Sequence, residues 1–237
     1  MSSGSPSSSP VSEVSTTHDR VSSDRVGADH PGIRQLFGVL LAGELAAFYR
    51  LTDEAQLAPD LQGRLAMARM AASEMRHFEV LAGRLSSEVA VEDAIVRFAP
   101  VLERYHSSTP PNTWLEALVK SYIGDGLAAD FYLEVASVLP TEAEQVVRTV
   151  MAETASSHFA CAEVRRAVTE NPDLIAPLTL WGRRLLGEAI TQAQHVLAAE
   201  DTITDLLFAG SDLNRMAEFF ESIQDRHVTR MSDLGLG

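Results

Sequence analysis

From Pro31 almost to the C-terminus, apolar residues recur at three- and four-residue steps, the spacing of amphipathic α-helices. Turn-forming residues interrupt the pattern at Pro59, at 107–112 and at Pro140. The predicted long helices cover 32–57, 61–86, 114–138 and 141–170, and further helices are predicted at 91–105, after Pro172 and at 212–231. No segment alternates convincingly at period two. The sequence therefore predicts an all-α protein.

The order of the predicted helices indicates their topology. Tight turns join the first long helix to the second and the third to the fourth, and a longer connection with its own short helix links the two hairpins. This is the layout of a four-helix bundle with one crossover connection, the ferritin-like topology. We expect a ferritin-like four-helix bundle with additional C-terminal helices over residues 31–237.

Composition limits where the chain acts and what it binds. Residues 1–30 are rich in Ser and Pro, lack the features of a signal peptide, and are predicted to form a disordered tail. Cys161 is the only cysteine, so no intrachain disulfide can form, and we expect a cytoplasmic protein. No apolar run reaches the roughly 18 residues of a membrane span. The 19 basic and 33 acidic residues give a net charge of −14, which disfavours nucleic acid and anionic membranes as partners.

Three residues of the first predicted hairpin have the spacing of metal ligands. Glu44 lies on the apolar stripe of the first helix, where an unpaired charge would cost several kcal/mol. Glu74 and His77 lie three residues apart on the second helix and therefore share one face. Because the turn near Pro59 falls between them, antiparallel pairing brings Glu44 level with Glu74. One Glu facing a Glu-x-x-His unit is half of a di-iron carboxylate site, which we favour over a surface ion pair.

The second predicted hairpin offers a less regular ligand set. Its helices carry Asp125 and Asp130, followed by Glu153 and His158. A second Glu-x-x-His unit would place histidine at position 156, which is Ser156. His158 is five residues from Glu153, about 140° around the helix, so the two are poorly placed to bind one ion. For His158, metal ligation and a partly buried histidine with a hydrogen-bond partner stay open.

Several segments resemble a known family. They are 43–49, beginning Gly43-Glu44-Leu45, 74–78, beginning Glu74-Met75-Arg76-His77, then 124–132, beginning Gly124-Asp125-Gly126, and 233–236. They resemble an actinobacterial group of ferritin-like proteins that is similar to the tRNA hydroxylases acting on 2-methylthio-N6-isopentenyladenosine. The resemblance extends from about Pro31 to the C-terminus.

The resemblance implies an iron-dependent oxidation. In those hydroxylases two Glu residues and two Glu-x-x-His units hold two irons, which activate O2 to oxidise a C–H bond. Carried over, this implies Glu44, Glu74 and His77 as ligands of the first half, with Asp130 preferred to Asp125 and with Glu153 in the second half. Asp130 and Ser156 depart from the family's Glu and His, so we expect a weaker second iron position. The aromatic residues expected to line a substrate pocket near these positions are Phe48, Tyr49, Phe131 and Tyr132.

Three functions follow from this interpretation. The favoured one is an O2-dependent di-iron hydroxylase acting on a prenylated adenosine or another small apolar group, with an electron donor that the sequence does not specify. The net charge of −14 argues against tRNA itself as the partner. The alternatives are iron oxidation or storage and a non-enzymatic helical protein with a partly lost site. The sequence leaves homo-oligomerisation open.

Overall fold

The structure, a computed structural model, describes residues 1, 25–85, 88–151, 155–208 and 213–237. In this part of the chain the α-helices are α1 (Pro31–Glu54), α2 (Leu61–Ala82), α3 (Glu88–Ser108), α4 (Trp114–Val138), α5 (Thr141–Met151), α6 (Ala155–Glu170), α7 (Ile175–Ala199), α8 (Asp201–Phe208) and α9 (Leu213–Asp233). Short 3-10 helices occupy Ala55–Leu57 and Pro172–Leu174, and the described residues contain no strand. The all-α prediction is confirmed.

Local capping explains where the best-predicted helices begin. The Asp60 carboxylate accepts a hydrogen bond from the Gly63 amide at 2.8 Å and caps α2. The Thr113 hydroxyl accepts one from the Glu116 amide at 3.2 Å and caps α4. Both caps satisfy amides that the first turn of a helix leaves unpaired, so both helices begin at the predicted residue.

One helix was not predicted, and two predicted segments are described only in part. The predicted helix 141–170 corresponds to α5 and α6, which flank residues 152–154 outside the described part of the chain. Helix α8 was not predicted, because its eight residues span too few turns for a reliable period. At the N-terminus, residues 2–24 of the predicted tail lie outside the described residues. Contacts with the bundle begin before the predicted start of the helical domain: the Val26 amide donates a hydrogen bond to the Val138 carbonyl at 3.0 Å.

The helices pack as two groups joined by α3. Helices α1 and α2 form a hairpin, and α4 packs against α5 and α6 in the second half of the bundle. The crossover helix α3 contacts α1 and α7, while α8 lies against α1 and α9 lies against α4. The ferritin-like bundle is thus extended by α7, α8 and α9, as predicted for the C-terminal helices.

Two apolar clusters fill the interior, and polar residues lie between them along the helices. The first apolar cluster includes Leu40 and Leu41 of α1 and Leu81 of α2. The second apolar cluster includes Leu51 of α1 and Met70 of α2. The residues between these positions on α1 and α2 include Glu44, Ser73, Glu74 and His77, which we call the polar layer. Apolar packing on both sides shields this layer from solvent.

None of the described helices combines the length and apolarity required to cross a bilayer.

Candidate metal centre

Three side chains of the polar layer converge at the α1–α2 interface. His77 Nδ1 lies 3.3 Å from Glu44 Oε2 and 3.8 Å from Glu74 Oε2. One nitrogen or oxygen atom from each residue lies within 4.8 Å of the other two. Within the described residues this is the only group of three or more His, Cys, Asp and Glu side chains with such spacing. We call it the Glu-Glu-His cluster.

The helix geometry produces this convergence. Glu74 and His77 are one turn apart on α2, so both side chains project from the same face. Glu44 meets them from α1 because it precedes Glu74 by thirty positions and the chain reverses between the two helices. Glu44 is 5% exposed and His77 is 9% exposed, so the cluster is largely withdrawn from water.

A tyrosine of α4 holds one of the carboxylates. The Tyr132 hydroxyl donates a hydrogen bond to Glu44 Oε1 at 2.6 Å, which leaves Glu44 Oε2 facing His77. Burial raises the pKa of Tyr132 well above its ordinary value, and the nearby Glu44 charge raises it further. Tyr132 therefore stays protonated and acts as a hydrogen-bond donor to Glu44.

The pKa values of Glu74 and His77 are both raised in the cluster. Burial raises the pKa of Glu74 to about 7, and Glu44 adds to the rise while His77 opposes it. Burial lowers the pKa of His77, but hydrogen bonds to Glu44 and Glu74 outweigh it and raise the value to about 10. Raised pKa values mean that these groups bind protons more readily, so a metal cation would compete with protons for the same atoms.

The donor set and spacing fit a transition-metal ion. Two donors held at about 2.0–2.2 Å from one ion, with bond angles near 90–110°, lie roughly 3–3.5 Å apart. The separations of 3.3 Å and 3.8 Å from His77 Nδ1 are close to this range. Carboxylate and imidazole donors suit iron, manganese and zinc. The Glu-Glu-His cluster could hold such an ion with little rearrangement.

A cavity of about 330 Å³, the first cavity, adjoins the cluster. The polar residues that line it are Glu44, Arg50, Ser73, Glu74, His77, Tyr105, His106, Lys120, Tyr122, Asp125, Tyr132 and Arg230. Ala47, Leu102 and Val150 are among its apolar lining residues. The cluster therefore faces a space large enough for a small molecule.

Two basic residues beside the cavity belong to a buried ion network that sequence reasoning missed. Arg50 donates to Glu54 Oε2 and to the Ser121 hydroxyl, both at 3.1 Å. Lys120 lies 3.1 Å from Glu54 Oε1 and donates to the Thr109 carbonyl at 2.7 Å. Lys120 is only 2% exposed. The sequence did contain one indication of this burial: Lys120 directly follows Leu118 and Val119 in an apolar stretch of α4.

The structure places the two aspartates of α4 in different surroundings. Asp125 lines the first cavity, and burial followed by the Glu74 charge raises its pKa to about 7 against the opposing effects of Arg50 and His77. Asp130 is not among the lining residues. It lies 3.1 Å from Arg226 Nε and 2.6 Å from an Arg230 nitrogen, both of α9. The Asp130 carboxylate, predicted from the family resemblance to bind metal, is thus paired in the structure with two guanidinium groups that α9 supplies.

The remaining predicted ligands lie away from the cluster or outside the described residues. Glu153 falls within 152–154, which the structure does not describe, and the same holds for the side chain of Ser156. His158 is described and is exposed on α6. Its exposure matches neither a buried ligand nor the alternative of a partly buried histidine.

Only one of the four predicted pocket aromatics lines the first cavity. That residue is Tyr132. Tyr49 is 59% exposed and its ring contacts Phe48, which packs against the second apolar cluster. Phe131 lines a different cavity and its ring lies 6.1 Å from that of Phe219. The prediction placed these residues by proximity along the helices, whereas their rings point to different faces.

An all-α bundle with a buried Glu and a Glu-x-x-His unit on paired helices defines a ferritin-like protein with a candidate metal centre. A family model described as a ferritin-like domain of actinomycetes matches residues 29–210, and the chain belongs to this family. A search among curated proteins finds no significant match. The matched range includes α1 to α8 and the whole Glu-Glu-His cluster.

Proposed function

We propose that the Glu-Glu-His cluster binds iron and that the protein is an O2-dependent hydroxylase of a small apolar substrate. The observation that carries this proposal is the convergence of Glu44, Glu74 and His77 beside a cavity of about 330 Å³. Structural ion pairs do not need an adjoining cavity, whereas a reacting metal needs open space for substrate.

Each part of the site has a role in this proposal. Bound iron would supply O2 activation and the oxidation of a C–H bond. Glu44, Glu74 and His77 would hold it, and Tyr132 would orient Glu44 through their 2.6 Å hydrogen bond. The apolar clusters on either side of the polar layer lower the local dielectric constant, which strengthens the electrostatic interactions there. Hydroxylation also requires two electrons, so the proposal includes a separate electron donor.

The iron content we propose is one tightly bound ion with a weaker second position. The Asp130 carboxylate is paired with Arg226 and Arg230, so Asp125 is the better candidate from α4 for a second ion. Glu153 remains a proposed ligand of that second ion. The second position has fewer ligand atoms than the first, so it should bind iron only at higher iron concentration.

The resemblance to the tRNA hydroxylases suggests a prenylated adenosine as substrate. Whole tRNA is disfavoured by the net charge of −14. Arg166 forms ion pairs with Glu163 and Glu170, and Arg184 donates to the Ser108 carbonyl. These arginines already have protein partners, so we favour a free small molecule over a nucleic acid.

Iron analysis of three proteins tests the proposal. Protein purified after growth in iron should contain at least about one iron per chain, and His77→Ala should lose most of it because an imidazole ligand is gone. His158→Ala is the control, since His158 is exposed and histidine is removed in both variants. A wild-type chain without iron, or equal losses in the two variants, would overturn the proposal.

One observation favours an alternative without O2 chemistry. The Asp130–Arg226–Arg230 ion pairs use a carboxylate that the two-iron enzymes of the resembled family reserve for metal. The chain would then bind one ion for stability alone. Oxygen consumption by the iron-loaded protein with a chemical reductant separates the two functions: the hydroxylase consumes O2 above the rate of His77→Ala, and the non-enzymatic protein does not.

A further inference from the structure

A second cavity of about 220 Å³ lies next to the first. It is formed by residues of α1, α3, α4, α7, α8 and α9, and most of its wall is apolar, including Val39, Leu127, Phe131, Val196 and Ile203. No Asp, Glu, Lys or Arg is among the lining residues in the described part of the chain. This wall disfavours a charged ligand, because a buried unpaired charge costs several kcal/mol.

The two cavities share part of their walls. Leu102, Tyr105 and Gly124 line both of them. Gly124 is adjacent to Asp125, and a Cβ atom added at Gly124 would meet no other atom within 4 Å. The junction is therefore open at this glycine, and a molecule in the second cavity lies beside the space that the Glu-Glu-His cluster faces.

Two residues that line the second cavity each carry a buried polar atom without a partner, and one of them, Tyr105, lines the first cavity as well. The Tyr105 hydroxyl and Gln192 Oε1 are buried, and neither forms a hydrogen bond with any described residue. A buried polar atom without a partner costs about 1–3 kcal/mol. Burial also raises the pKa of Tyr105 above its ordinary value, so the phenol keeps its hydrogen. A ligand hydroxyl suits both atoms, because it can donate to the Gln192 oxygen and accept from Tyr105.

We propose that the second cavity binds a small neutral alcohol, with its apolar chain among the aliphatic and aromatic side chains and its hydroxyl on Gln192 and Tyr105. At roughly 30 Å³ for each water-sized group, the cavity holds about seven non-hydrogen atoms, which is the size of a six-carbon alcohol. A role of this alcohol as the substrate, in place of a prenylated adenosine, rests on the proposed hydroxylase function. Its binding does not, because none of the Glu-Glu-His cluster lines the second cavity.

The test is titration of the metal-free full chain with 1-hexanol, followed by calorimetry or by NMR shifts of methyl groups. Hexanoate and 1-methoxypentane are the matched probes: the first adds a charge, and the second keeps an oxygen but lacks the donor hydrogen. The wild-type chain should bind 1-hexanol at least tenfold more tightly than either probe. In Gln192→Leu the preference for 1-hexanol over 1-methoxypentane should fall to less than threefold.

Gly124→Leu tests the position of the ligand. It should weaken 1-hexanol binding at least tenfold, because the new side chain enters the junction. Gly187→Leu is the control, since Gly187 is exposed on a helix and its added Cβ also meets no atom within 4 Å. Absence of 1-hexanol binding in the wild-type chain, equal binding of the three probes, or equal effects of the two leucine variants would overturn the inference.

Measuring both iron and 1-hexanol binding on the wild-type chain distinguishes failure of this inference from failure of the proposed function. Binding of 1-hexanol without iron would support the alcohol site and contradict the proposed hydroxylase. Binding of iron without 1-hexanol would support the metal centre and contradict the alcohol site.

Discussion

Tyr132 connects α4 to the Glu-Glu-His cluster through its hydrogen bond to Glu44 Oε1. In Tyr132→Phe the carboxylate loses this donor and its fixed orientation, while the ring still fills its place in the first apolar cluster. Because residues that orient metal ligands typically contribute 10–100-fold in affinity, we expect iron or cobalt binding to weaken about tenfold or more. Competition with a chelator of known affinity measures the change.

The matched control is Tyr49→Phe, which removes the same hydroxyl from a side chain that is 59% exposed. It should leave the metal affinity within twofold of the wild-type value. Equal affinities in Tyr132→Phe and the wild type would mean that Glu44 does not depend on this bond for its orientation.

The buried ring of His227 in α9 should make the free energy of unfolding depend on pH. Its ring is 3% exposed, and neither ring nitrogen has a hydrogen-bond partner among the described residues. Burial lowers the pKa of His227 from 6.5 to about 4, and the charge of Arg230 contributes to the shift. Between these two values the unfolded chain binds a proton that the folded chain does not. The free energy of unfolding should therefore fall as the pH falls from 6.5 to 4, by at most about 1.4 kcal/mol per pH unit for this group.

Replacing His227 by Leu should remove that part of the pH dependence, although it leaves the contributions of other groups. Urea unfolding at pH 7, 6 and 5 measures it, with His195→Leu on the exposed face of α7 as the control. A wild-type curve and a His227→Leu curve with the same slope would show that the ring is protonated in the folded state.

At the scale of single residues, the sequence predicted the Glu-Glu-His cluster because its geometry depends on one turn of helix and one chain reversal. It could not rank Asp125 against Asp130. Both lie on α4, and the choice depends on Arg226 and Arg230, whose position follows from the packing of α9. That contact joins residues about one hundred positions apart, and helix periodicity carries no information about it.

At the scale of helices, two glycines of α4 lie in opposite environments. A Cβ atom at Gly124 would meet no atom within 4 Å, whereas one at Gly126 would collide with the side chain of Arg230. Gly124→Ala should raise the free energy of unfolding by about 0.5–1 kcal/mol, the usual gain of alanine over glycine inside a helix.

Gly126→Ala should instead lower it by about 1–3 kcal/mol, because Arg230 must move away from the buried Asp130 carboxylate. Thermal or urea unfolding of the two variants gives the comparison, and each is a control for the other because both replace glycine by alanine in one helix. Changes of the same sign would show that α9 adjusts to the added methyl group at no cost.

Helix boundaries were predictable where a side chain caps the helix. Asp60 and Thr113 fix the starts of α2 and α4 through bonds to amides three residues away. The start of α8 depends instead on tertiary contacts, because Ile203, Leu206 and Leu207 are buried in the first apolar cluster. An eight-residue helix is stabilised by such packing more than by its own sequence.

For the whole molecule, a metal ion bound between α1 and α2 would stabilise the folded state by mass action. An ion present at 100 times its dissociation constant adds about 2.7 kcal/mol to the free energy of unfolding. For a chain of this size we expect Tm to rise by about 5–10 °C on adding cobalt or iron, and to fall again with a chelator. Differential scanning calorimetry of the wild type and of His77→Ala measures this; His77→Ala should show less than a quarter of the rise, and equal rises would place the ion elsewhere.

The burial of Lys120 also determines how the chain meets amine-reactive reagents. Lys120 is the only lysine in the sequence, and in the folded protein its ammonium group is enclosed by Glu54 and the Thr109 carbonyl. Acylating dyes and cross-linkers that attack primary amines should therefore react with the α-amino group of the folded chain much faster than with this side chain. Unfolding exposes the second amine, so the mass added by such a reagent reports whether the bundle is intact.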